Sequence, residues 1–248
     1  MGNWSTLLTE QRNPASERLD EVSTLEMLAI INREDMRVPT AIATQLAPIA
    51  QAVDLVTTQL GQGGRLFYLG AGTSGRLGIL DASECPPTFS ADPQLIQGII
   101  AGGPEAVFQA VEGAEDDSGG APSELVQRKL SAADVVMGIA ASGVTPFVVG
   151  GLAHARAEGC PTIFFTCSPS AAAKVAADIV IAPEVGPEVI TGSTRMKAGT
   201  ATKLVLNMIS TGAMVKLGKT YGNLMVDLQP TNAKLRDRTE RIFSALTG

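Results

Sequence analysis

The sequence predicts an α/β fold in which a doubly wound, five-stranded parallel sheet is flanked by N-terminal helices and followed by a long C-terminal helix. Three observations carry that reading. Five short apolar runs, at 65–69, 95–100, 135–140, 162–166 and 178–181, alternate with stretches of helical spacing. The first and third runs lead into glycine-rich turns that open helices. Hydrophobic residues form 45% of the 248 positions, yet only ten residues are aromatic and 26 are glycine, a composition suited to close helix-on-sheet packing.

In chain order, the polar opening to about Asp20 carries Glu10, Arg12, Glu17 and Arg18 and shows no apolar signal-peptide core. Apolar residues then recur at helical spacing, first Leu25, Leu28 and Ile31, then Ala41, Leu46, Ile49, Val53 and Val56. Pro39 suits the first turn of a new helix, so two helices are predicted before the break at Gly61-Gln-Gly-Gly. Helical patterns at 75–84, 104–115, 146–158 and 171–176 join the strands. A long helix is predicted over 196–217 and a short one after Asn232. Strands joined by such crossovers pair in parallel, with helices on both faces. Residues 135–153 carry no charge, but Gly138, Ser142, Gly143, Pro146, Gly150 and Gly151 interrupt them, so they read as strand, loop and helix rather than a membrane span.

Composition narrows the chemistry. A net charge of −6 leaves no basic footprint for nucleic acid. Cys85, Cys160 and Cys167 are odd in number without CxxC spacing, which fits a reducing compartment and no disulfide framework. The single histidine, His154, cannot build a His-rich metal site and reads as packing or surface. Acid–base chemistry, if present, falls to carboxylates.

Ligands of an open parallel sheet bind beyond the carboxyl ends of its strands. The first such loop, Gly70-Ala-Gly-Thr-Ser-Gly75-Arg-Leu-Gly, satisfies GxGxxG, but the second strand ends in Ala101-Gly102-Gly103 without the acidic residue a dinucleotide ribose requires. Thr73 and Ser74 at a helix start suit a phosphate monoester; a glycine-rich turn with a capping serine is the alternative. The third strand ends in Ala140-Ala-Ser-Gly-Val-Thr145-Pro146, where Ser142 and Thr145 again precede a helix. A third loop, Thr191-Gly-Ser-Thr-Arg-Met-Lys-Ala-Gly-Thr200, opens the long helix. No acidic residue lies between Glu188 and Asp227, whereas Arg195, Lys197, Lys203, Lys216 and Lys219 are basic. That excess reads either as an anion site near the helix start or as a solvated basic face.

Two glutamates are placed oddly for plain helix ends. The double proline Pro86-Pro87 is expected to stop the first sheet helix, leaving Glu84 near its negative end. The pattern from Pro104 is expected to end at Glu115, repeating the misplacement. Paired carboxylates can serve as base and acid where histidine is absent.

Gly70-Ala-Gly-Thr-Ser-Gly-Arg-Leu-Gly-Ile-Leu-Asp-Ala-Ser-Glu-Cys-Pro-Pro87 resembles the hallmark of the N-acetylmuramic acid 6-phosphate etherase family, whose members carry a sugar isomerase (SIS) domain. Val22-Ser-Thr-Leu-Glu-Met, Val111-Glu-Gly-Ala-Glu-Asp, Gly138-Ile-Ala-Ala-Ser-Gly, Thr191-Gly-Ser-Thr-Arg-Met-Lys-Ala-Gly-Thr and Gly222-Asn-Leu-Met-Val-Asp227 are similar to it as well, in order from about residue 9 to 240. The resemblance implies an N-terminal helical segment at 1–60, a SIS-type, flavodoxin-like domain at 61–226, and at 227–248 the start of a small helical domain. It also implies elimination of D-lactate from a 6-phosphosugar, followed by addition of water, without metal or cofactor. By that resemblance Glu84 protonates the leaving group and Glu115 is the base. Thr73, Ser74, Ser142, Gly143 and Thr145 would hold the 6-phosphate, and Ser193, Arg195 and Lys197 would meet the substrate's anionic groups. A cytoplasmic homodimer is implied, with no nucleic-acid or membrane partner. Two other readings share the cradle: an aldose–ketose sugar-phosphate isomerase, and a sugar-phosphate sensor like the regulators that carry related modules. The isomerase too would remove a C2 proton, whereas the sensor has no evident use for the carboxylate pair.

Overall fold

The computed structural model describes residues 7–227 and 233–247, so the segment expected at 227–248 falls partly outside the described residues. Five parallel strands form one sheet in the order β2-β1-β3-β4-β5. They are β1 Leu66–Gly70, β2 Ile96–Ile100, β3 Val135–Ile139, β4 Thr162–Phe165 and β5 Ile179–Ile181. β1 and β3 are buried along their whole length, and their side chains alternate between two cores. Leu66 and Tyr68 join Val135, Met137 and Ile139 on one face, while Phe67 and Leu69 join Val136 on the other. Arg65 and Asp134 tie the opposite, amino end of these strands together, with Arg65 Nη2 2.8 Å from Asp134 Oδ2.

The first face is covered by α3 (Leu46–Gly61), α4 (Gly72–Phe89) and α8 (Lys197–Lys216), the second by α5 (Gly120–Gln127) and α6 (Pro146–Ala157). α7 (Pro169–Ala172) is a single turn, and α9 is Ala233–Thr247. No described helix is long and apolar enough to cross a membrane. All three cysteines are free and buried.

The helical elements depart from the sequence reading in four places. Residues 22–61 form three helices rather than two: α1 (Thr24–Asp35), α2 (Arg37–Ala43) and α3. Pro39 does fall in the first turn of α2, but a further break occurs at Gln45, whose side-chain oxygen accepts the Ala182 amide at 3.0 Å and so ties the chain to the end of β5. Secondly, Pro86 and Pro87 do not stop α4, which continues to Phe89 and ends at a left-handed Ser90. Each proline removes one return bond near the end of the helix, and the buried Cys85 and Phe89 offset that loss by packing into the core. Thirdly, 104–115 is not an α-helix. Gly102, Gly103 and Gly113 all take positive φ, leaving only 3-10 turns at Pro104–Val107 and Ala114–Asp116. Lastly, α5 forms at Gly120–Gln127, where the sequence reading places no helix.

Candidate active site at the carboxyl ends of β1 and β3

β1 and β3 are neighbours, paired from Leu66 with Val135 to Gly70 with Ile139, so the loops that follow them lie side by side. Their helices then diverge, α4 onto one face of the sheet and α6 onto the other. This opens a crevice at the point where the strand order reverses. The first turn is very tight: a Cβ on Gly70 would lie 2.5 Å from the Gly75 nitrogen, and one on Gly75 would lie 2.5 Å from Ile100 Cγ1. In the second loop Gly143 has φ +82°, which a side chain would strain.

Both helices present unfilled amino ends. The N-cap of α4 is Ala71 and that of α6 is Thr145, and in neither does a side chain accept the first amides. Two such ends, with the dipoles of an 18- and a 12-residue helix behind them, form an anion cradle. α8 differs. The buried Glu188 accepts the amides of Lys197 at 3.0 Å and Ala198 at 2.9 Å, so a carboxylate of the chain already occupies that helix end. Burial raises the Glu188 carboxyl above its usual range, against the lowering effect of those amides.

Three of the five basic residues expected to favour an anion at α8 are likewise paired with carboxylates of the chain. Lys197, fully buried, lies 2.5 Å from Glu34 Oε2. Lys216 pairs with Asp54 at 3.1 Å and Lys219 with Asp227 at 2.6 Å. The structure therefore removes Lys197 as a direct substrate contact. Burial would raise the Glu34 carboxyl, but hydrogen bonds from Lys197, Asn13 and Arg37 outweigh it and hold it below the ordinary 4.5. Ser193 is half-buried and Arg195 exposed, on the loop before α8.

Two adjoining cavities open at the crevice. One is lined by Ala71, Gly72, Arg76 and Glu115, the other by Glu115, Asp116, Ser142, Thr145 and Glu10. Glu115 thus stands between the two loops, exposed on its 3-10 turn rather than at the end of a helix. The structure brings Glu115, Ser142 and Thr145 together around one cavity, with Gly143 buried in the loop between Ser142 and Thr145. Thr73 and Ser74 sit half-buried in the first turn of α4 instead of capping it, the Thr73 methyl facing Gly199 of α8. Arg76 was not singled out from the sequence. Its Nε donates to the Val107 carbonyl at 2.8 Å, which fixes a cation in the cavity of Glu115.

Glu84 is elsewhere. Twelve residues along α4 from Gly72 is about 18 Å at an α-helical rise, and Glu84 lines a separate groove between α4 and α8 with Leu80, Asp81, Lys203 and Asn207. It lies in the body of the helix rather than at its final residue. Beneath it, Asp81 accepts Tyr68 Oη at 2.9 Å and Ser210 Oγ at 3.1 Å. The Asn207 amide, turned to satisfy both neighbours, donates to Asp81 Oδ1 at 3.0 Å and accepts from Lys203 Nζ at 2.7 Å. Burial raises the Asp81 carboxyl despite those bonds, and burial beside Asp81 pushes the Cys85 thiol up to about 12.

Comparison with known proteins gives the family and the fold. The family model for the glucokinase regulatory protein N-terminal SIS domain matches residues 48–156. An N-acetylmuramic acid 6-phosphate etherase of Pectobacterium atrosepticum is 58% identical over 246 residues, covering 99% of this chain and 81% of that protein. One of Yersinia pestis is 59% identical over 242 residues, covering 98% and 82%. Among solved structures, a phosphoheptose isomerase from Neisseria gonorrhoeae has a TM-score of 0.56 at 19% identity, covering 77% of this chain and 98% of that one. The NanR protein of Vibrio vulnificus, complexed with ManNAc-6P, has a TM-score of 0.54 at 12% identity, covering 92% and 70%. At such identities the structural likeness speaks to the fold.

Proposed function

The chain belongs to the N-acetylmuramic acid 6-phosphate etherase family, and from that premise we propose that it cleaves the C3 lactyl ether of N-acetylmuramic acid 6-phosphate. The products are D-lactate and N-acetylglucosamine 6-phosphate, a step in the recycling of cell-wall amino sugars in the cytoplasm. The observation that carries this reading is the position of Glu115 between two uncapped helix amino ends.

The 6-phosphate is held by the first amides of α4 and α6, with Thr73, Ser74, Ser142, Gly143 and Thr145 around it. This anchors the sugar with its C2–H toward Glu115. In the open-chain aldehyde that proton is acidified by the neighbouring carbonyl. Glu115 removes it, the C2 electron pair forms a C2=C3 double bond, and the C3–O bond breaks. Glu84 gives its proton to the departing lactate oxygen. Water then adds, its hydroxyl to C3 and a proton to C2, restoring both carboxyl groups. The sum is redox-neutral, so no electron carrier enters the balance. Arg76 offsets negative charge that gathers beside Glu115.

Because Glu84 is about 18 Å along α4 from the cradle, it serves the site of a second copy. The outer faces of α4 and α8 fit such a contact: Leu80 is exposed in the groove that holds Glu84, and Met208 and Val215 are exposed elsewhere on α8. Met208 is exposed on α8, whereas Val205 and Ile209 are core and Leu204 packs against that core. A two-fold pair would carry two equivalent sites, each with Glu115 from one chain and Glu84 from the other.

The test is D-lactate release from N-acetylmuramic acid 6-phosphate by the purified chain. Lactate in step with N-acetylglucosamine 6-phosphate is the expected result. A ketose formed from N-acetylglucosamine 6-phosphate, with no lactate from the ether, would assign the site to an isomerase. Binding without turnover of either sugar would make it a sensor.

A further inference from the structure

We propose that Glu10 is a substrate-binding residue whose carboxylate accepts a hydrogen bond from a hydroxyl or the acetamido N–H of the sugar while the two helix ends hold its phosphate. This rests on the sugar-phosphate reading above and deepens it. The stretch 7–16 is strapped across the loop that precedes α8. The Thr9 carbonyl accepts the Gly192 amide at 3.1 Å. Asn13 Nδ2 donates to the Pro187 carbonyl at 2.9 Å and to Glu34 Oε2 at 2.8 Å, and Ser16 Oγ donates to the Val189 carbonyl at 2.8 Å. Leu7, Thr9 and Asn13 are buried by these contacts. Glu10 is not among them. It is exposed and lines the cavity of Ser142, Thr145 and Glu115. Its own side-chain bond within the strap is a 3.4 Å contact from Thr9 Oγ1.

Chemistry narrows what such a residue does there. An ionised carboxylate only accepts hydrogen bonds. Beside Glu115 and Asp116 it adds a third negative charge to a cavity that must admit a phosphate, which by itself opposes binding. The charge is compensated only if the ligand brings its own donors, and an N-acetylated amino sugar brings several. Glu10 therefore favours a sugar phosphate over bare phosphate and turns the carboxylate-bearing lactyl branch away from itself.

Calorimetric binding to the full chain tests this without depending on turnover. The probes are N-acetylglucosamine 6-phosphate and inorganic phosphate. Glu10→Ala is expected to weaken the sugar phosphate about tenfold, as loss of a charge-assisted hydrogen bond does. Inorganic phosphate should bind unchanged or tighter, and Glu10→Gln, which keeps an acceptor oxygen, should recover part of the loss. In turnover, KM for the ether substrate should rise about tenfold with kcat near the wild-type value, a split that a displaced strap would not give. Asn13→Ala, which releases the strap itself, serves as the reference for that displacement. Equal affinity for the sugar phosphate in Glu10→Ala, or equal weakening of both probes, would overturn the assignment. A wild-type chain that binds neither probe would instead overturn the sugar-phosphate reading, and Glu10 with it.

Discussion

The two ends of α4 are built for different work. At the amino end, Ala71 supplies no cap, glycines bring the backbone against β2, and the amides open onto cavities shared with Glu115. Five residues before the last of the helix, Glu84 stands exposed over a closed network in which Asp81 takes bonds from Tyr68, Ser210 and Asn207. One end has polar groups left for a ligand; the other has satisfied its own and offers a single carboxyl at the surface. A sequence motif that reads as one unit thus serves two places about 18 Å apart. If both glutamates act on one sugar, two chains are needed.

The largest effects should come from the glutamates themselves. Glu115→Ala and Glu84→Ala are each expected to lower lactate release by orders of magnitude while sugar-phosphate binding persists, checked by a lactate assay beside calorimetry. Full activity in either variant would remove that residue from the chemistry and dissolve the contrast between the ends.

Asp81→Ala probes the closed end. It leaves the buried Tyr68 hydroxyl without its acceptor and should destabilise the chain by about 2 kcal/mol, read as a lower denaturation midpoint, with phosphate binding at the other end unchanged. A smaller effect, about fivefold in sugar-phosphate affinity, is expected from Ser142→Ala, a loss near 1 kcal/mol. If binding is untouched, the cradle lies elsewhere.

A pH profile separates the ends in a further way. The Asp81 carboxyl is held above its ordinary 3.8 chiefly by burial, so the folded chain keeps this proton to higher pH than the unfolded chain. Its contribution to stability is therefore fully present below 3.8 and is lost as pH rises through the raised value. Asp81→Asn cannot ionise, so its stability relative to wild type should improve as pH rises from 3.8 through the raised Asp81 range, whatever the constant offset between the two. Parallel profiles would show that Asp81 carries no such linkage.

The parts of this site legible from sequence are those written locally. Gly70 to Gly75 and Ser142 to Thr145 follow short continuous apolar runs, buried along their whole length, so the crevice between β1 and β3 could be placed by pattern alone. The rest depends on partners distant in sequence. Pro86 and Pro87 read as a stop because the packing of Phe89 is a tertiary fact. The helical spacing at 104–115 is overruled by glycines at positive φ, which puts Glu115 on a short turn. The positive charge of Lys197 is cancelled by Glu34, 163 residues away, and the amino end of α8 is filled by Glu188. Glu10 had no local signal, since its role comes from the strap that carries it past Gly192.

The most direct test of the account is to mix the two inactive variants. Glu84→Ala and Glu115→Ala chains, unfolded and refolded together in equal amounts, should form mixed pairs in half the population, each with one intact site. Lactate release should then return to about a quarter of the wild-type rate, as random pairing across a two-fold contact requires. If the mixture stays as inactive as its components while subunits demonstrably exchange, the two glutamates do not meet across chains and the proposed site is wrong.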